Sequence, residues 1–184
     1  MKLIYKSSYD RGAEHLLRMW KDIKAQVPDA TLDIYYGWNL FDKSHANNPQ
    51  MMKWKDMMVE LMTQEGIKEH GRVSKKELDE ATAKCDIWAY PTHFGETNCI
   101  TALDSLKLGC VPVTIAYAGL LDTVYAGVLI EGDIYEKETR DTFVKELVAL
   151  WNDKERLAKE KKKGIEGAKR FAWSNIASEW TKYF

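Results

Sequence analysis

The sequence predicts an α/β fold: a mostly parallel sheet of about six strands with helices on both faces. Three observations predict it. Short apolar runs alternate with helix-period patterns along the 184 residues. The runs end in turns bearing Gly, Ser, Asn or charged residues, and a parallel sheet gathers its ligand-facing loops at such strand ends. Hydrophobic residues make up 45% of the chain, enough to bury both faces of a sheet.

Taken in order, Leu3 to Tyr5 reads as a first strand. Asp10 to Ala25 reads as a helix with Leu16, Leu17, Trp20 and Ile23 on one face, and Asp10 is a candidate cap. Thr31 to Tyr36 reads as a second strand, ended by Gly37. Asn39 to Pro49 is expected to be a polar loop. Gln50 to Gln64 is a Met-rich helix that Gly66 is expected to close. Ile67 to Gly71 is a short strand. Ser74 and Glu77 have capping-box spacing and open a helix to about Lys84. Ile87 to Tyr90, Val111 to Ile115 and Val128 to Ile130 complete the strands, with a helix after the turn that follows Tyr90. Asp141 to Trp151, Asp153 to Arg170 and Ser174 to Tyr183 read as closing helices. One domain over 1–184 is expected, with its C-terminal helices from about 141.

Composition narrows the function. A net charge of −1 and a pI near 6.4 leave no broad basic footprint, so nucleic-acid binding is not expected. No apolar run reaches the ~20 residues of a membrane span, and the opening residues do not form a signal peptide. Cys85, Cys99 and Cys110 lack CxxC spacing and sit among apolar neighbours, which suggests reduced, packed thiols and a cytoplasmic location. A Cys nucleophile would need a partnered His, and His93 is the only nearby candidate. His45, His70 and His93 lack short metal-ligand spacing, and no Asp-x-Asp pair stands at a strand end. A P-loop and a GxGxxG turn are both absent. The Lys159 to Lys163 run reads as a solvated helix face.

The segment from Pro91 to Val113, PTHFGETNCITALDSLKLGCVPV, carries the most information. Glu96 and Asp104 lie eight residues apart, expected at one end and along one face of the same helix. Two carboxylates so placed hold hydroxyls at two separated points, and first-turn amides hold an anion between them. Lys6 and Arg11 flank a Ser-Ser-Tyr-Asp turn, where a pyrophosphate needs cations. Each feature also has an ordinary reading: surface charge for Lys6 and Arg11, a helix-opening acid for Glu96, and a solvated outer face for Asp104.

In this arrangement Pro91 to Val113 resembles the donor-site signature of the retaining "glycosyl transferases group 1" family. The shared features are Pro91-Thr92, Glu96, Leu103-Asp104, Gly109 and Pro112-Val113. The turn before Gly12 and the stretch HGRVSKKELDEATAKCDIWAYP are similar to the same family. The resemblance implies a Rossmann-like half of a two-domain GT-B enzyme, with the N-terminal half missing from this chain. It implies a hexosyltransferase that moves a sugar from a nucleoside diphosphate to an acceptor hydroxyl, the acceptor being a glycan or glycoconjugate. Neither cofactor nor metal is implied, only the nucleotide-sugar donor. Residue by residue, Glu96 would contact the sugar hydroxyls and Asp104 the ribose. The amides of Thr97, Asn98, Cys99 and Ile100 would meet the phosphates and sugar. Lys6 and Arg11 would hold the diphosphate, and Gly71, Arg72 and Val73 would border the base. Two departures stand out: the second acid is Asp104 where the family has Glu, and the basic pair runs Lys then Arg. The alternatives are a non-catalytic module that kept the fold, supported by Asp104, and a nucleotide-sugar epimerase. The epimerase would need a glycine-rich first turn and a Tyr-x-x-x-Lys pair, and Tyr36 to Leu40 does not supply the pair.

Overall fold

The computed structural model describes residues 1–183. Its sheet has six strands: β1 (Lys2–Tyr5), β2 (Thr31–Ile34), β3 (Ile67–Glu69), β4 (Ile87–Tyr90), β5 (Val111–Ile115) and β6 (Val128–Ile130). Every pairing is parallel, in the order β3-β2-β1-β4-β5-β6. This is the doubly wound Rossmann-like arrangement. Its direction reverses between β1 and β4, so the loops after those two strands diverge over a crevice.

Burial follows sheet position. Every residue of β4 (IWAY) and β5 (VPVTI) is buried, as central strands covered on both faces require. At the edge, β3 buries none of its three residues fully. Pro112 sits in β5 at no cost to the ladder. The Val111 N–H donates to Asp86 on the β4 side, so the missing Pro112 donor faces β6, whose pairing begins only at Val113.

Among the described residues there are nine α-helices, the first six between strands and the last three after β6: α1 (Ala13–Gln26), α2 (Asn39–His45), α3 (Pro49–Leu61), α4 (Lys75–Thr82), α5 (Ile100–Lys107), α6 (Leu120–Thr123), α7 (Lys137–Asn152), α8 (Lys154–Ala168) and α9 (Trp173–Trp180). Helix α1 packs against α3 and α7 on one face, and α5 against α8 on the other. The expected stripe on α1 (Leu16, Leu17, Trp20, Ile23) is buried in full. Of the Lys159–Lys163 run, Lys159, Lys162 and Lys163 are exposed, while Lys161 turns inward to Asp86 at 3.0 Å.

Several boundaries differ from the sequence expectation. Tyr9–Arg11 is a separate 3-10 turn, and α1 starts at Ala13 with Gly12 as its cap, so Asp10 caps nothing. The break arises because Gly12 has φ +123° and stands against the Pro91 carbonyl, where a side chain would collide. Residues 39–45 form helix α2, not a loop, because Phe41 packs edge-on to Trp38 and beside Trp54. Helix α3 ends at Leu61; Gly66 instead turns the chain into β3. The capping box at Ser74 and Glu77 is formed in both directions. Helix α7 begins four residues before the expected Asp141.

Candidate functional site

The crevice at the β1–β4 reversal is built from the loops the sequence singled out. After β1, Lys6 is turned inward and is only 7% exposed. Its ammonium has neither a carboxylate within ion-pair distance nor a hydrogen-bond acceptor among the described residues. Burial lowers its pKa, against the pull of nearby Asp104 and Asp79. The chain then makes its 3-10 turn, which presents Arg11 to the loop after β4.

There Arg11 Nη1 meets Glu96 Oε1 at 3.3 Å, and the guanidinium lies 3.9 Å above the Phe94 ring. Tyr90, the last residue of β4, donates its hydroxyl to the same Glu96 oxygen at 2.8 Å. Glu96 is therefore held by a strand end on one side and by the β1 loop on the other. Its backbone carbonyl accepts from Gly119 N–H at 2.8 Å, which ties it to the entry of α6.

Glu96 and Asp104 do not share a helix. Glu96 lies in the loop, and α5 starts at Ile100 with Cys99 as an uncapped N-cap. The N–H groups of Thr97, Asn98 and Cys99 have no acceptor among the described residues, whereas Ile100 N–H is used internally by the Asn98 carbonyl at 3.1 Å. Three open amides thus stand beside Glu96, a ready anion contact. Burial pushes the Cys99 thiol up to about 11, which leaves it protonated and unsuited to nucleophilic attack. His93 does not partner it. His93 faces His15 and Tyr135, with ring centroids 5.5 and 5.3 Å away.

Asp104 is taken up by Lys75, whose Nζ stands 3.0 Å from its Oδ2 and 2.5 Å from Asp79 Oδ1. Burial works to lower the Lys75 pKa, but Asp79 and Asp104 together raise it. Gly71, Arg72 and Val73 follow β3 at the same end of the sheet. Gly71 N–H donates to Glu69 Oε1 at 2.9 Å, and its carbonyl accepts from Tyr36 N–H at 3.0 Å. The Arg72 guanidinium lies 6.0 Å from the centre of the Tyr36 ring. One hydroxyl joins three of these loops: Tyr9 donates to Glu69 at 2.5 Å and accepts from Gly37 N–H at 2.9 Å.

The structure thus brings Arg11 and Glu96 together, with the open amides next to Glu96 in the same loop, while Lys6 lies within electrostatic reach of Asp104, Lys75 and Asp79, and the Gly71–Val73 turn follows β3 at the same end of the sheet. Sequence reasoning missed Tyr90, Phe94, Lys75 and Asp79. A Tyr at the carboxyl end of a buried strand is a legible signal, because its polar tip needs a partner there. Lys75 gave none, since it read only as part of a capping box.

A parallel six-strand sheet reversing at β1–β4, with a cationic and carboxylate-bearing crevice at that reversal, defines a Rossmann-like α/β domain of the kind that forms the C-terminal half of GT-B enzymes. The chain belongs to the family Glycosyl transferases group 1, whose profile matches residues 4–169. Among solved structures, the pneumococcal O-GlcNAc transferase GtfA in complex with UDP and GlcNAc aligns with a TM-score of 0.77 and 14% identity, over 99% of this chain and 35% of that one. Sucrose-phosphate synthase from Thermosynechococcus elongatus gives 0.74 and 17%, over 99% and 44%. Anabaena HepE in complex with UDP and glucose gives 0.74 and 17%, over 99% and 47%. The chain therefore spans less than half of each of these structures. No curated protein matches it significantly. Among the described residues, no helix is long and apolar enough to cross a membrane.

Proposed function

We propose that this chain is the nucleotide-sugar donor domain of a retaining glycosyltransferase that moves a sugar to an acceptor hydroxyl, on a glycan or glycoconjugate. The observation that carries this reading is Lys6: a buried ammonium without an ion-pair partner, on the loop after β1 that also carries Arg11. A cation so buried is costly until an anion joins it, and a diphosphate supplies that anion. Lys6 and Arg11 then stabilise the charge that grows on the diphosphate as the glycosidic bond breaks. Glu96, fixed by Tyr90, takes the sugar hydroxyls, and Asp104 takes the ribose. Gly71, Arg72 and Val73 border the base. The other domain of such a two-domain enzyme supplies the remainder of the catalytic cleft. The UDP complexes of GtfA and HepE support the nucleotide part of this reading. Three buried, unpaired thiols support a reducing, cytoplasmic setting.

Isothermal titration with UDP-, GDP- and ADP-sugars, without divalent metal, tests the reading. Binding selective for one base, weakened by Lys6→Met, is expected. The second reading is a module that kept the fold and lost the donor. The Lys75–Asp104 pair favours it, because the ribose acid is already engaged. Absence of binding at millimolar nucleotide, in wild type and Lys75→Ala alike, would select that second reading.

A further inference from the structure

A second concavity of the molecule lies outside the donor crevice. It is a cavity of about 770 Å³ between α1, α3 and the loop after β4, and neither Lys6, Glu96 nor Asp104 lines it. Its size is that of a small-molecule site. His15 projects into it from the first turn of α1 and is only 9% exposed. The His15 ring has no hydrogen-bond partner among the described residues. Burial, then the neighbouring His93, pushes its pKa down to about 4, so the ring is neutral near pH 7. A neutral imidazole offers one donor and one acceptor, and a hydroxyl group satisfies either.

The remaining lining argues against an anion. Asp10 and Glu14 balance Arg18 and Arg140 in charge. Both guanidiniums are also engaged: Arg18 with Glu14 at 2.8 Å, Arg140 with the carbonyls of Ile134 and Tyr135 at 3.1 and 2.5 Å. The apolar walls are Trp54 and Tyr135. The Trp54 ring is locked by its Nε1–H donating to Glu14 at 2.7 Å, so this wall is preorganised. Aromatic faces set among hydroxyl-binding groups, with no free cation, suit a sugar ring, which has an apolar C–H face and a polar rim. The position fits as well. Gly12 and His93 border the cavity, and their chain neighbours Arg11 and Phe94 stack together beside Glu96.

We propose that this cavity binds a neutral sugar ring, the hexose unit of the acceptor nearest the donor, hydrogen-bonded to His15 and packed between Trp54 and Tyr135. Its role as an acceptor subsite rests on the donor-domain reading; the binding of sugar does not.

The test is two-dimensional NMR of the full chain, following the Trp54 indole N–H and the His15 ring. Methyl glucoside, galactoside, mannoside and N-acetylglucosaminide are titrated separately, with UDP and inorganic phosphate in parallel. At least one glycoside is expected to move both signals saturably. His15→Ala should weaken that glycoside about tenfold, and His15→Asn should recover part of the loss. Tyr135→Ala, at an exposed ring, tests the same wall without disturbing the core. The proposal is overturned if no glycoside moves these signals, if only phosphate does, or if both alanine variants bind the glycoside normally. Loss of UDP binding alongside retained glycoside binding would instead remove the donor reading and leave the sugar site standing.

Discussion

Arg11 Nη1 lies 3.3 Å from Glu96 Oε1, joining the loop after β1 to the loop after β4 across 85 residues of chain. Glu96 is the better buried partner, its side chain 12% exposed against 38% for Arg11. In the free protein the acid restrains a cation that a diphosphate would otherwise attract. On the proposed donor-domain function, truncating Glu96 has two opposed effects: sugar contacts are lost while Arg11 is released. Glu96→Ala is expected to weaken a UDP-sugar about tenfold and leave UDP itself unchanged within about threefold. Calorimetry of both ligands on both proteins checks this. An equal loss for the two would place Glu96 on the nucleotide rather than the sugar.

Lys6 predicts an exchange of stability for binding. Lys6→Met keeps the apolar stem and removes the buried charge, so the variant should be more stable by about 1 kcal/mol. Its affinity for a diphosphate should fall by at least about tenfold. The pH dependence follows from the lowered pKa. Between the folded value and the ordinary value of 10.5, the unfolded chain holds more protons, so wild-type stability rises with pH in that window. The advantage of Lys6→Met should accordingly shrink as urea unfolding is repeated from pH 8 towards pH 10. A constant difference would mean that Lys6 is not desolvated.

Gly12 fixes the approach of the loops after β1 and β4. Its φ is +123°, and a Cβ would strike the Pro91 carbonyl and come within 3.0 Å of Thr92 Cα. Gly12→Ala is expected to lower stability by about 2 kcal/mol or more, read from the urea midpoint. It should also weaken donor binding, because relief of the clash moves Arg11 away from Glu96.

His15 gives the acid side of the profile. Its folded pKa near 4 lies below the ordinary 6.5, so its contribution to stability is complete above pH 6.5 and is lost as pH falls towards 4. His15→Asn should flatten that part of the stability curve relative to wild type. Identical curves over pH 4 to 6.5 would show that the ring titrates normally.

The strands were the most legible part of the chain. Ile87–Tyr90, Val111–Ile115 and Val128–Ile130 stand where their apolar runs predicted; the first two are interior strands of the sheet, which are covered on both faces and so predominantly apolar. Helix α2 was not legible. Most of its residues are polar, and its order comes from Phe41 meeting Trp38 and Trp54, a contact no local pattern reveals. The acids Glu96 and Asp104 were found by spacing, but their shared helix was not, since the chain spends residues 96–99 in a loop before α5 begins. Lys75 was invisible as an Asp104 partner for the same reason: ion pairs between helices are set by packing, not by periodicity.

The 85-residue separation of Arg11 and Glu96 also has a consequence during synthesis. The turn bearing Lys6 and Arg11 leaves the ribosome long before β4 exists. Until β4 docks beside β1, Arg11 lacks its acid and Gly12 lacks the Pro91 carbonyl it stands against. The contact that closes the end of the sheet is therefore made late, when the fourth strand arrives.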